Sequence, residues 1–146
     1  MRNPGQIYIA VVDDDESLCR SFSRLLRTVG FQTVSYPSAE AFLEDTKHPR
    51  FDCLVLDVQL GAGMTGLELN QRLVAVRDYT PVIFITAHDD PEASRQARGA
   101  GCAGYFRKSD SGMEILEAIR GAVGRAAREV SKPEASSKPI IPDQNR

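Results

Sequence analysis

Acidic, hydroxyl and amine side chains stand at the ends of several short apolar runs in this sequence. The run Cys-Leu-Val-Leu ends abruptly in Asp57, and Asp13 and Asp14 follow a similar run. Thr86 and Lys108 come after two further runs. Short runs rich in branched residues are typical of strands covered on both faces of a parallel sheet. Because such sheets bind ligands outside the carboxyl ends of their strands, we expect these side chains to meet at one edge.

The chemistry available to this set of side chains is phosphoryl transfer supported by a metal. Carboxylates such as Asp13, Asp14 and Asp57 are hard oxygen ligands suited to Mg²⁺, which would also relieve their mutual repulsion. Asp57 can act as a nucleophile, since aspartyl phosphates are an established covalent intermediate. The phosphoryl oxygens then need neutralising, for which a metal, the Lys108 amine and the Thr86 hydroxyl are suitable.

The elements that must position these residues follow from patterns along the chain. Buried strands are predicted over residues 7–12, 31–36, 53–57, 81–85 and 103–106. Apolar residues recur at helical spacing between the strands and after the last one. The helix starts are indicated by Ser38, by a capping box at Thr65 and Glu68, by Asp90–Pro91 and by Ser111 with Glu114.

This alternation predicts an α/β fold with right-handed crossovers, a doubly wound, three-layer domain of five parallel strands and five helices. One domain also suits a chain of 146 residues. The predicted divisions are a short N-terminal extension over 1–5, the domain over 6–125 and a C-terminal tail or linker over 126–146. Pro, Ser and Lys are frequent in the last segment, which is typical of disorder.

Composition argues against several kinds of partner. A formal net charge of -2 gives no basic footprint for direct binding to nucleic acid or to an anionic membrane. No apolar run approaches the ~20 residues of a membrane span, and the N-terminus has no signal-peptide core. We therefore expect a cytoplasmic protein. Cys19, Cys53 and Cys102 match neither a disulfide framework nor a zinc spacing, so we expect reduced thiols.

Four motifs, taken together and in this order, resemble the receiver domain of two-component response regulators. They are Val-Val-Asp-Asp-Asp-Glu at 11–16, Leu-Val-Leu-Asp at 54–57, Ile-Thr-Ala at 85–87 and Gly-Tyr-Phe-Arg-Lys at 104–108. The resemblance runs from about residue 7 to residue 123. It implies a flavodoxin-like strand order of 2-1-3-4-5. It also implies a phosphoryl group received from a histidine kinase or a histidine phosphotransfer protein, with Mg²⁺ as cofactor.

The resemblance gives roles to the acids one by one. By position, Asp57 matches the phosphoacceptor of the family. Asp14 matches the direct Mg²⁺ ligand, and Asp13 matches the neighbouring acid that acts largely through water. Asp57 itself and the backbone carbonyl of Gln59 would complete the protein's share of the metal shell.

The resemblance also implies how a signal leaves the site. Thr86 and Lys108 match the hydroxyl and amine that contact the phosphoryl group, and Tyr105 matches the aromatic whose rotamer follows phosphorylation. The output face would comprise the fourth helix, fifth strand and fifth helix, about residues 91–123, where a downstream protein binds. Such a receiver catalyses only its own phosphorylation and dephosphorylation. We therefore expect a signalling protein rather than an enzyme, as a monomer or a weak phosphorylation-dependent dimer.

Two departures from the family pattern bear on the site. Ser109 follows Lys108 where receivers usually have a proline in a cis peptide bond, so this loop either tolerates a cis bond or takes a trans path. The loop after Asp57 has Gly61 where a proline is common, and it contains one additional residue. We expect this loop to be more mobile than in other receivers.

Other interpretations fit parts of the same pattern. The chain could be the receiver portion of a longer regulator, or a receiver that only binds proteins. It could also be an aspartyl-nucleophile phosphatase, although that class has a second acid where Gln59 stands. Asp15 and Glu16 are interpreted as first-turn acids favoured by the helix dipole. Tyr105 could equally be an ordinary half-buried aromatic, and His88 is expected at the rim of the site.

Overall fold

The computed structural model describes residues 5–88 and 90–131. At its centre is a five-stranded parallel sheet in the order β2-β1-β3-β4-β5. The predicted flavodoxin-like order is therefore confirmed. The strands are β1 (Tyr8–Val12), β2 (Gln32–Tyr36), β3 (Cys53–Asp57), β4 (Val82–Thr86) and β5 (Gly104–Arg107).

Five helices cover the sheet in two layers, as the alternating pattern predicts. They are α1 (Glu16–Arg27), α2 (Ala39–Glu44), α3 (Gly66–Ala75), α4 (Pro91–Gly99) and α5 (Gly112–Ser131). One apolar cluster joins a sheet face to α2, α3 and α4, and a second joins the opposite face to α1 and α5. Among the helices described, none has the length and apolarity needed to cross a membrane.

The central strands explain why the sheet edge is well positioned for chemistry. Every residue of β3 and β4 is buried. Leu54 and Leu56 pack toward α2, α3 and α4, while Cys53 and Val55 pack toward α1 and α5. This alternation follows from the two-residue period of a strand. The side chains that follow each strand are therefore sorted between the two faces by their position in the sequence.

Helix caps fix where the loops around the site begin and end. Glu16 lies in the first turn of α1 as predicted, whereas Asp15 is the N-cap before that turn and accepts a hydrogen bond from the Leu18 amide. The capping box of Thr65 and Glu68 is present at the start of α3. Asp90 likewise caps α4. These caps satisfy amide groups that a helix start otherwise leaves without partners.

The element boundaries differ slightly from those predicted. β4 includes Thr86 and β5 includes Arg107, because these two residues still pair across the ladder. α5 continues through Ser131, six residues beyond the predicted domain end at 125. Apolar periodicity fades there, but backbone hydrogen bonding can extend a helix without it. Residues 1–4 and 132–146 of the predicted extension and tail lie outside the described residues.

Candidate functional site at the carboxyl edge of the sheet

The side chains of Asp13, Asp57 and Lys108 meet at the carboxyl edge and form what we name the acid–lysine cluster. Lys108 Nζ lies 2.9 Å from Asp13 Oδ2 and 2.9 Å from Asp57 Oδ2. It also lies 3.2 Å from Asp13 Oδ1. Asp13 follows β1, Asp57 ends β3 and Lys108 follows β5. The alternation of side chains along each strand places all three on the face covered by α1 and α5. The structure thus brings together three of the predicted site residues.

Burial makes the electrostatics of this cluster strong. Asp13 is 1% exposed and Asp57 is 4% exposed. Burial raises the pKa of Asp13 to about 6, although hydrogen bonds from the Asp15 amide and Lys108 work in the opposite direction. For Lys108, burial lowers the pKa, but the bonds to Asp13 and Asp57 and their charges outweigh it and leave the pKa raised. Lys108 is therefore a firmly charged amine between two carboxyl groups.

Asp14 completes a group of three acids that fits a divalent cation. Its carboxylate is exposed, and carboxylate oxygens of Asp13, Asp14 and Asp57 lie within 4.8 Å of one another. Asp13 Oδ2 is buried and in ionic contact with Lys108, yet it receives no well-directed hydrogen bond from the described residues. A buried oxygen with spare acceptor capacity beside two further carboxylates is the donor set that a hard cation requires.

The loop after β3, which we name the metal-side loop (residues 59–65), runs beside these acids. The Gln59 amide donates to Asp57 Oδ1 at 3.1 Å, and Leu60 is buried. Gly61 adopts a φ of +62°, and a Cβ there would lie 3.6 Å from Asp14 Oδ2. The backbone of Gly61 therefore lies near the Asp14 carboxylate. The role of the Gln59 carbonyl as a metal ligand remains a prediction.

Gly66 is a site residue that the sequence reasoning missed. It begins α3, and its amide donates to the Val58 carbonyl at 3.0 Å. A Cβ at this position would collide with the backbone carbonyl oxygen of Asp57. A glycine directly after the helix-capping residue Thr65 was the available signal, because glycine is a poor helix former and its presence there calls for a steric reason.

Thr86 and Tyr105, which we name the switch pair, lie on the other face of the sheet. Tyr105 stands opposite Phe84 in the ladder and packs against the cluster that includes α4. The Thr86 hydroxyl donates to the His88 carbonyl at 2.7 Å and accepts from the His88 amide at 3.2 Å. The guanidinium carbon of Arg98 lies 5.6 Å from the centre of the Tyr105 ring. Neither member of the switch pair is part of the acid–lysine cluster.

The loop at Ser109 takes a trans path. The described residues contain no cis peptide bond, and the Lys108 amide donates to the Thr86 carbonyl at 2.8 Å. Asp110 closes the following turn, since its carboxylate accepts from the Arg107 amide at 2.8 Å while its own amide donates to the Arg107 carbonyl. Of the two paths left open by the sequence, the structure has the trans path, and the Lys108 amine lies in the cluster.

Comparison with known proteins supports the fold and shows the family. The family model of the response regulator receiver domain matches residues 9–120. The chain therefore belongs to the receiver domains of response regulators, a family of signalling domains. The predicted resemblance is confirmed, and family membership favours this assignment over the aspartyl-nucleophile phosphatase.

Individual relatives give the same result. Nodulation protein W of Bradyrhizobium diazoefficiens is 34% identical over 135 residues, which cover 91% of this chain and 59% of that protein. The chain therefore spans less than two thirds of the length of this relative. A response regulator receiver protein from Burkholderia phymatum is 38% identical, with a TM-score of 0.71 over 82% of this chain and 96% of that one. A CheY-like receiver from Methanospirillum hungatei, 24% identical, shares the fold with a TM-score of 0.78 over 86% and 99% of the chains.

Proposed function

We propose that this receiver accepts a phosphoryl group on Asp57 in a Mg²⁺-dependent reaction. The observation that carries the proposal is the contact of one lysine amine with both Asp57 and Asp13 in a buried cluster. The phosphodonor would be a phosphohistidine on a histidine kinase or a phosphotransfer protein. The Asp57 carboxylate forms the new O–P bond, the P–N bond to the donor imidazole breaks, and the imidazole keeps the electron pair and takes up a proton.

Each neighbouring group has a task in this reaction. The Gln59 amide holds one oxygen of Asp57 and Lys108 contacts the other, so the carboxylate is oriented before the donor arrives. The Lys108 amine could also pair with a phosphoryl oxygen once Asp57 carries the phosphoryl group as an acyl phosphate. Asp13, Asp14 and Asp57, with the Gln59 carbonyl, would hold Mg²⁺, which neutralises charge on the phosphoryl oxygens when bound.

Output would pass through the switch pair. In the structure Thr86 bonds to the backbone of His88, so contact with a phosphoryl oxygen requires that hydrogen bond to break. Tyr105 lies on the strand that pairs with β4, opposite Phe84, and packs against the apolar cluster that includes α4. We infer that phosphorylation shifts the α4–β5–α5 face between two states, one of which binds a downstream protein. The greater length of Nodulation protein W supports a second form of this proposal, in which the receiver is part of a longer regulator with an output domain.

The test is phosphorylation by a small-molecule phosphodonor, followed by intact mass. With Mg²⁺ the wild type should gain one phosphoryl group, and Asp57→Asn should gain none. Removing Mg²⁺ with a chelator, or Asp14→Asn, should reduce the rate strongly. Asp78→Asn, at an exposed acid outside the site, is the matched control and should behave as wild type. Unchanged labelling of Asp57→Asn would overturn the assignment.

A further inference from the structure

Glu40, at the start of α2, reaches across to the metal-side loop. Its Oε2 accepts a hydrogen bond of 2.8 Å from the Met64 amide, although the two residues are 24 positions apart. The carboxylate lies directly over Gly63, where a Cβ would be 2.6 Å from Oε2. Glu40 itself is exposed. The hydrogen bond of Glu40 is therefore made with the loop, and the charge of Arg72 adds a favourable electrostatic interaction with the same carboxylate.

The contact joins a rigid element to the part of the loop with most conformational freedom. α2 is anchored by Ala39 and Phe42, which are 0% and 5% exposed. The bonds from Gln59 to Asp57 and from Gly66 to Val58 fix the two ends of the loop. Between these ends the loop contains two glycines, residues whose ordering costs more conformational entropy than that of any other. The Met64–Glu40 bond restrains this middle part.

We propose that Glu40 is a positioning residue that orders the metal-side loop beside the acids and thereby strengthens Mg²⁺ binding. This inference rests on the proposed function. A loop ordered before the ion arrives does not have to be ordered by it, so more of the interaction energy appears as affinity. The Met64 amide lowers the pKa of Glu40, which keeps the carboxylate ionised as the stronger acceptor.

The experiment measures Mg²⁺ affinity and loop protection separately, both by NMR of backbone amides. In the absence of Mg²⁺, Glu40→Ala should speed hydrogen exchange at the Met64 amide. The same variant should raise the dissociation constant for Mg²⁺ by about threefold to tenfold, as expected for the net contribution of one hydrogen bond at an exposed position. Glu40→Gln keeps an acceptor and should recover part of both effects. Glu44→Ala removes an exposed acid from the same helix and should change neither.

A second variant tests the contact from the loop side. Gly63→Ala places a methyl group where the Glu40 carboxylate lies, so the flexible end of that side chain must move away. Introduced into the wild-type protein, Gly63→Ala should weaken Mg²⁺ binding. Added to a protein that already carries Glu40→Ala, it should have little further effect, because both changes break the same contact.

Three results would overturn the inference in distinguishable ways. If the Met64 amide of Glu40→Ala exchanges faster but the Mg²⁺ affinity is unchanged, the contact orders the loop without affecting metal binding. Additive effects of Gly63→Ala and Glu40→Ala would show that the two residues do not act together. Absence of Mg²⁺ binding in the wild type itself would instead remove the proposed function on which the inference rests.

Discussion

The acid–lysine cluster and the switch pair lie at the same edge of one sheet but are built differently. In the cluster, Asp13, Asp57 and Lys108 already contact one another, and both acids are buried. In the switch pair, Thr86 is bonded to the backbone of His88, and Tyr105 packs near Arg98 on the opposite face. In the proposed phosphorylation, the groups of the cluster would already be in contact, whereas the Thr86 hydroxyl would first have to leave the His88 carbonyl.

The difference between the cluster and the switch pair indicates where the free energy of phosphorylation would be used. A site that is already assembled loses little energy to reorganisation, so the chemical step is supported by groups in place. A hydroxyl bonded to a neighbouring carbonyl resists movement until a stronger acceptor is present, and a phosphoryl oxygen is such an acceptor. Under the proposed function, separation of the two regions by the sheet would let the cluster stay in place while the switch pair moves between two states.

The largest expected effect is that Thr86→Ala keeps phosphorylation of Asp57 but loses the response of the α4–β5–α5 face. Thr86→Ala removes the hydroxyl of the switch pair without touching the cluster, so Asp57 should still be phosphorylated. Backbone NMR shifts caused by a stable phosphoryl mimic should then be confined to the active-site loops, and most of the shifts on α4, β5 and α5 should be lost.

Thr86→Ser is the matched control, because it keeps the hydroxyl and should retain the distant shifts. Identical distant shifts in Thr86→Ala and in the wild type would show that Thr86 does not connect the two regions. A wild type without any shifts beyond the active-site loops would show that phosphorylation leaves the α4–β5–α5 face unchanged.

A second expected effect concerns the free energy of unfolding, which depends on the charge of the buried Asp13. The pKa of Asp13 is raised from 3.8 to about 6, so the folded state favours the protonated acid. The unfolded state therefore binds fewer protons between these values, and stability falls as pH rises through them. The stability of the metal-free wild type should therefore fall as pH rises from about 4 to 7, and this fall should be smaller in Asp13→Asn, which has no carboxyl group to ionise at this position.

Urea unfolding of the two proteins across this pH range checks the expectation. Mg²⁺ should make the fall in the wild type smaller, because it stabilises the folded protein by binding at neutral pH. An equally large fall in metal-free Asp13→Asn and in the wild type would show that Asp13 is not the group that titrates.

The smallest expected effect lies at the exposed side of the switch pair. Arg98 approaches the face of the Tyr105 ring, and exposed cation–π contacts contribute about 0.5–1 kcal/mol. Arg98→Ala should lower the free energy of unfolding by roughly this amount and shift the ring resonances of Tyr105. Arg95→Ala, one turn away on α4 and paired with Glu92, is the control for lost charge. Ring resonances that stay unchanged in Arg98→Ala would show that Arg98 does not contact the Tyr105 ring.

The sequence predicted the cluster well because each of its residues follows a strand. Asp13, Asp57 and Lys108 come at or just after the ends of buried runs, and a parallel sheet brings those ends to one edge. The strand order itself came from the resemblance to receivers. The three-layer arrangement followed from the alternating patterns, since each strand and helix has a face that must be buried.

Other features depend on contacts that no local pattern records. The bond between Glu40 and Met64 joins residues in different elements, and the Thr86–His88 bond depends on how the loop after β4 turns. To predict the trans path at Ser109, one would have to know the turn that Asp110 closes. The end of α5 was also missed, because a helix can continue as backbone hydrogen bonding after its apolar periodicity ends.

The contact of Gly66 with the Asp57 carbonyl has a consequence for protein engineering. Replacing a helical glycine with alanine is a common way to stabilise a protein, since it restricts the unfolded chain. At the first position of α3 the methyl group would instead meet a backbone oxygen, which cannot move aside as a flexible side chain can. A stabilised form of this receiver, or a library built on it, must therefore leave residue 66 unchanged and look for its gains elsewhere.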